Sequence, residues 1–117
     1  MDRSDVIELL KESFAHPTST PNIGEGGRDE YISKNQEYLI EHAIEPVAVE
    51  VYTTEWTREF TEFTADSYEM LCIAKSENDE LLYDEKNKTF SLAIRNDKGT
   101  LYLVGYASSD ALAEWLG

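Results

Sequence analysis

Catalysis and metal binding need nucleophiles, bases or ligands at defined spacings, and outside its carboxylates this chain offers few of them. It holds 2 histidines and 1 cysteine. His16 and His42 stand in no HxH or HxxxH pattern, the kind of spacing that brings two imidazoles onto one metal. Cys72 has no second cysteine to join, so an internal disulfide and a cysteine-based metal site are both excluded. It lies within Met70-Leu71-Cys72-Ile73-Ala74, an apolar run in which a thiol packs as an inert side chain. No GxSxG nucleophile motif is present. The segment Asp84-Glu85-Lys86-Asn87-Lys88-Thr89 begins like an acidic calcium loop, but Thr89 stands where an EF-hand requires glycine. Gly24-Glu25-Gly26-Gly27 lacks the GK[ST] ending of a phosphate-binding loop, and its glutamate would repel phosphate, so it reads as a flexible loop. Acid pairs such as Asp79/Glu80 do not by sequence face one another across a cleft, as general acid and base must. The expectation is a protein that is not an enzyme, with no catalytic residue, no metal and no cofactor.

The carboxylates themselves are the outstanding feature. Asp and Glu number 24 against 10 Lys and Arg, a formal net charge of -14. Such a field repels nucleic acid and anionic membranes, and it attracts basic proteins and speeds their encounter. The basic residues are scattered, with no basic patch interleaved with aromatics, so direct nucleic-acid binding is disfavoured. Glu37, Glu41 and Glu45 fall at successive i,i+4 positions, and Glu55, Glu59 and Glu62 form a second row, on a helix opposite Trp56, Phe60 and Phe63. These six glutamates are the candidate partner-binding residues. A solvated face would look the same. A third possibility is a surface that imitates the charge of a phosphate backbone. Tyr and Trp beside carboxylates make good protein-binding anchors, and the chain has 7 Tyr and 2 Trp.

These residues need elements to hold them. Val6, Leu9, Leu10 and Phe14 give a helix over 4–14 with Ser4 or Asp5 as cap. Residues 15–29, rich in Pro, Gly and Ser/Thr, read as a long loop. A second helix runs from about Glu30 to Ala43, with Pro46 as its stop. Val47–Tyr52 alternates as a strand. Residues 54–66 are ambiguous: Trp56, Phe60 and Phe63 are helically spaced, whereas Thr53, Thr54, Thr57, Thr61 and Thr64 favour a strand. Strands follow at 70–74, 80–83, 89–94 and 100–106, separated by turns at 76–79, 84–88 and 96–99. Ser108 or Ser109 caps a closing helix that buries Leu112, Trp115 and Leu116. The sum is a single domain, 1–117, of the α+β class: N-terminal helices packed on an antiparallel sheet of about four to six strands, with a C-terminal helix.

The stretch Tyr68-Glu69-Met70-Leu71-Cys72-Ile73-Ala74, Leu81-Leu82-Tyr83-Asp84, Phe90-Ser91-Leu92, Leu101-Tyr102-Leu103-Val104 and Tyr106 to Leu116 resembles the SMI1/KNR4 (SUKH) superfamily. The likeness spans residues 68–116, and it lies in hydrophobic and turn positions. It implies an α+β fold and, in bacteria, an immunity role, in which the protein binds and neutralises a toxin, often a nuclease. The functional expectation is therefore a small acidic protein-binding module that masks a basic partner, a toxin or nucleic-acid-binding protein. The alternative is a nucleic-acid mimic or a regulatory subunit of a larger complex. Neither an apolar leader at the start nor a span of about 20 apolar residues is present. With the lone cysteine, this sets the expectation of a cytoplasmic protein with no membrane partner.

Overall fold

The computed structural model describes residues 1–15 and 28–116. The elements in chain order are α1 (Arg3–Phe14), α2 (Arg28–Glu41), β1 (Ala43–Tyr52), α3 (Glu55–Phe60), β2 (Ser67–Ser76), β3 (Asp79–Asp84), β4 (Thr89–Arg95), β5 (Leu101–Leu103) and α4 (Ala111–Leu116). The expected α+β class is what forms, with helices first, then the sheet, then a C-terminal helix. The loop expected over 15–29 lies almost wholly outside the described residues, and with it His16 and the Gly24-Glu25-Gly26-Gly27 run. Its last two positions belong to α2. No helix among the described residues is long and apolar enough to cross a membrane.

The five strands close into a barrel in the order β1-β2-β3-β4-β5. Consecutive strands pair antiparallel; β2 to β5 are joined by the short turns expected, and β1 reaches β2 through α3. Glu77, Lys88 and Gly99 adopt positive φ in those turns. Only at Gly99 (φ 83°) is the residue one that accepts the conformation without a Cβ penalty. Closure comes from a single parallel pairing of β1 with β5, at Tyr52↔Tyr102.

Through the middle of β2, β3 and β4 both faces of the sheet are buried, and the two-residue side-chain period of a strand sorts its residues between two cores. On β3, Leu81 and Tyr83 face the helices with Val6 and Leu10 of α1, Leu39 of α2 and Trp115 of α4. Leu82 faces the barrel interior with Val51, Phe63, Met70, Cys72, Ala93, Leu101 and Leu103. A register shift between Cys72 and Ala74 breaks the alternation on β2. Ile73 and Ala74 can then both face the helices. On β4 the face read from Phe90, Leu92 and Ile94 is buried only as far as Leu92, and Ile94 is 40% exposed.

Several boundaries differ from the sequence reading, each for a local reason. Asp2 caps α1 in place of Ser4 or Asp5. Its carboxylate accepts from the Asp5 N–H (2.9 Å), while Asp5 accepts from the Asp2 N–H (3.0 Å), a reciprocal capping box. The second helix ends at Glu41, before Ala43. Pro46 terminates nothing and sits inside β1, where the register slips between Ala43 and Val47. A bulge tolerates the missing N–H. The closing helix is capped by Asp110, whose Oδ1 accepts from the Ala113 N–H at 3.0 Å. Ser108 instead accepts from the Asp110 N–H (3.2 Å). The last strand is only Leu101–Leu103, much shorter than the 100–106 expected.

The ambiguous stretch 54–66 contains one short helix, and its threonines explain both the start and the stop. Thr54 Oγ1 accepts from the Thr57 N–H (3.2 Å) as N-cap. Thr61 Oγ1 donates to the Thr57 carbonyl (2.6 Å) and accepts from the Phe63 N–H (3.0 Å). Thr53 Oγ1 donates to the Ala65 carbonyl (2.6 Å), bringing the returning chain back beside β1. Threonine hydroxyls here compete with the backbone ladder and punctuate the helix.

Candidate interaction surface

The short helix α3 places Trp56 and Phe60 four residues apart, on neighbouring positions of one helix face. Both are exposed, Trp56 at 47% and Phe60 at 58%. Their ring centroids lie 5.7 Å apart. Tyr106, from the connection between β5 and α4, adds a third exposed ring with its centroid 6.0 Å from that of Trp56, edge-on at 68°. Phe63 points the other way, into the barrel. Large aromatics generally gain more by burial than by exposure. Three of them clustered on the outside form an anchor-like patch of the kind found at protein interfaces.

The patch rests on firm supports. Thr57, between the two α3 aromatics, is 1% exposed and donates to the Leu103 carbonyl (3.4 Å). Arg58 Nη1 donates to the carbonyl and hydroxyl of Thr53, both at 3.0 Å, which fixes α3 to the end of β1. Its ion pair with Asp66 spans 3.8 Å to a carboxylate that is almost fully exposed, and adds little. On the other side, Glu62 accepts from the Ala107 N–H (3.1 Å), next to Tyr106. Ser108 exchanges backbone hydrogen bonds with Phe90 at 2.7 and 3.1 Å, and its hydroxyl donates to Glu114 (2.9 Å). Burial pushes the Glu114 carboxyl above the usual range; Asp110 and Glu62 push the same way, and the Ser108 hydroxyl opposes them.

The second glutamate row falls here. Glu55 and Glu59 stand one turn apart on α3, both exposed, each immediately preceding one of the aromatics. Glu62 lies beyond the helix end, not on a continuous helical row, but its bond to Ala107 keeps it at the patch. The first row is split. Glu37 and Glu41 are exposed on α2, whereas Glu45 belongs to β1, because the helix ends before it. Beside them Tyr38, 44% exposed, stacks 4.2 Å from the ring of His42, and both lie near buried Trp115. His42 Nδ1 lies 2.8 Å from the Tyr38 carbonyl, a helix-end contact.

No family model, curated protein or solved structure matches this chain. Its own geometry is therefore what bears on function. Among the described residues, no group of three or more His, Cys, Asp or Glu side chains could hold a metal ion. Two open depressions flank Tyr83, one against Glu69, Asp84 and Lys86 and one against Glu12, Ser13 and Lys88; neither gathers convergent polar groups around an enclosed space. Cys72 is 2% exposed. Burial and the neighbouring Glu80 carboxylate push its thiol up to about 12, so it stays protonated and unreactive.

The sequence marked the glutamates of the patch but not its aromatic centre. Trp56 and Phe60 read as the apolar side of a helix that could equally be buried. One signal was present: the closely spaced threonines, which allow α3 only six residues and leave it no length to bury both its faces.

Proposed function

We propose that this protein is a small acidic binding module that masks a basic protein partner, and that Trp56, Phe60 and Tyr106 are the centre of its docking surface. The observation that carries this reading is the exposed ring cluster on a braced six-residue helix, flanked by Glu55, Glu59 and Glu62. Interfaces concentrate affinity in a few aromatic anchors and use surrounding charge for encounter and register. A net charge of -14 supplies the steering field for a basic partner. The likeness of residues 68–116 to the SUKH superfamily supports an immunity-type role in the cytoplasm, with a toxin or nuclease as the masked protein.

The test has two stages. The chain is first used as bait in extract of its native host, and a basic protein retained at moderate salt is identified and purified. Its activity is then assayed with the wild-type module and with Trp56→Ala/Phe60→Ala. Inhibition by the wild type that is lost in the double variant supports the reading. The association rate should also fall between low and high salt. A partner bound equally well by both proteins would refute the assigned surface. If DNA displaces the module from the captured protein, it acts as a nucleic-acid mimic instead.

A further inference from the structure

We propose that the Trp56/Phe60/Tyr106 patch is an arginine-reading site: an arginine side chain of the partner stacks on these rings while its guanidinium meets the flanking glutamates. This deepens the function proposed above and rests on it. Three exposed rings with centroids 5.7 and 6.0 Å from that of Trp56 offer aromatic faces to a flat cation, and Trp is the best of the three side chains for cation–π contact. On α3, Glu59 stands at i+3 from Trp56, on the neighbouring strip of the helix, Glu55 immediately precedes Trp56, and Glu62 is bonded next to Tyr106. Carboxylates at the rim of an aromatic cluster match the two things arginine does together, stacking with its plane and pairing with its fork. Lysine does the second as a point charge and carries a more tightly held hydration shell. The chain's own cation on α3, Arg58, is turned to Thr53 and does not fill this role. A second copy of the chain is a poor occupant, because it would bring the glutamates of both patches together on two molecules of net charge -14.

The probe is a capped peptide of alternating Gly and Arg, with a Gly/Lys twin of equal charge. The reporter is the pair of indole N–H resonances of Trp56 and Trp115, assigned through Trp56→Phe. Trp115 is 6% exposed and serves as an internal control. The Arg peptide should move the Trp56 resonance and leave that of Trp115 in place. It should bind at least about twofold more tightly than the Lys peptide at physiological salt. In Trp56→Ala, where the reporting indole is gone and binding is followed by calorimetry, Arg-peptide affinity should fall about two- to fivefold, the size of an exposed cation–π contact, and approach the Lys value. Glu59→Gln should weaken both peptides. Equal affinity for the twins at the Trp56 resonance would overturn arginine reading and leave a docking surface of general acidic character. Binding that moves neither indole would place the cationic site elsewhere and overturn the proposal. So would patch-dependent self-association in sedimentation, which assigns the rings to a dimer contact.

Discussion

Replacing Arg95 by methionine tests how the barrel carries a buried charge. Glu80 on β3 is 2% exposed, and Arg95 at the end of β4 holds it with two hydrogen bonds, Nε to Oε2 at 2.8 Å and Nη2 to Oε1 at 3.3 Å. Burial alone would raise the Glu80 carboxyl; the guanidinium, helped by the Cys72 thiol, outweighs it and holds the carboxyl below its usual value. Arg95→Met leaves an uncompensated carboxylate beside the thiol. Breaking a buried ion pair on one side costs roughly 3–5 kcal/mol. The Arg95 side chain keeps 34% of its exposure, so solvent already screens the pair and the lower end, about 3 kcal/mol, is expected. Against a total stability of about 5–15 kcal/mol this is a large fraction. It corresponds to a fall in Tm of about 12 °C at about 4 °C per kcal/mol for a domain of this size. The double variant Arg95→Met/Glu80→Gln removes the charge as well and should recover more than half of the loss. The assay is urea unfolding followed by circular dichroism, with thermal melts alongside. A loss below about 1 kcal/mol in the single variant, or a double variant no better than the single, would refute this account of the pair.

Three further outcomes follow from the same geometry. Cys72, with its thiol pushed up to about 12, should resist iodoacetamide at pH 8 in the folded protein and react promptly in denaturant; fast labelling of the native state would show that the barrel opens readily. Glu114 has a raised carboxyl, so the native state takes up its proton more readily than the unfolded chain, whose ordinary value is 4.5. Its contribution therefore becomes more favourable as pH falls from neutral through the raised native value; Glu114→Gln should be no less stable than wild type at pH 7, with the difference between them narrowing on acidification in a series of melts. Thr54→Ala removes the α3 N-cap and should cost about 1 kcal/mol in urea unfolding, whereas Thr54→Ser should cost almost nothing.

Much of the fold was legible because its signals are local. The β-branched and aromatic runs of the second half, broken by Asn96-Asp97-Lys98-Gly99 and its counterparts, fixed four strands and their antiparallel sense. Val6, Leu10 and Trp115 announced buried positions by their spacing. What was not legible depends on partners distant in sequence. Barrel closure rests on Tyr52 meeting Tyr102, which no local pattern encodes. Pro46 read as a helix stop because its cost to a helix is local, while the register slip that accommodates it in β1 depends on pairing with β2. The two tryptophans make the same point for the candidate site. Each stands at helical spacing from other apolar residues, yet Trp115 is buried under α1 and α2 and Trp56 is left outside, because no element among the described residues covers that side of α3. Glu45 shows the limit of i,i+4 counting, which holds only while the helix continues.

The single β1–β5 pairing also sets an order of events. The β2-β3-β4 meander joins strands that are neighbours in sequence, so its contacts form with short loops and little closure entropy. The seam between β1 and β5 must wait until α3 and the whole meander lie between its two strands, and its reward is one bridge. It is therefore the last join to form and the first to part. Amide exchange should find the weakest sheet protection in the N–H groups that bridge β1 and β5 around the Tyr52↔Tyr102 pairing. Both ends of that seam lead straight into the aromatic patch, β1 into α3 and β5 into Tyr106. A ligand that clasps Trp56 and Tyr106 together would thus act as a staple on the barrel's weakest join, and the bound protein should exchange its seam amides more slowly than the free one.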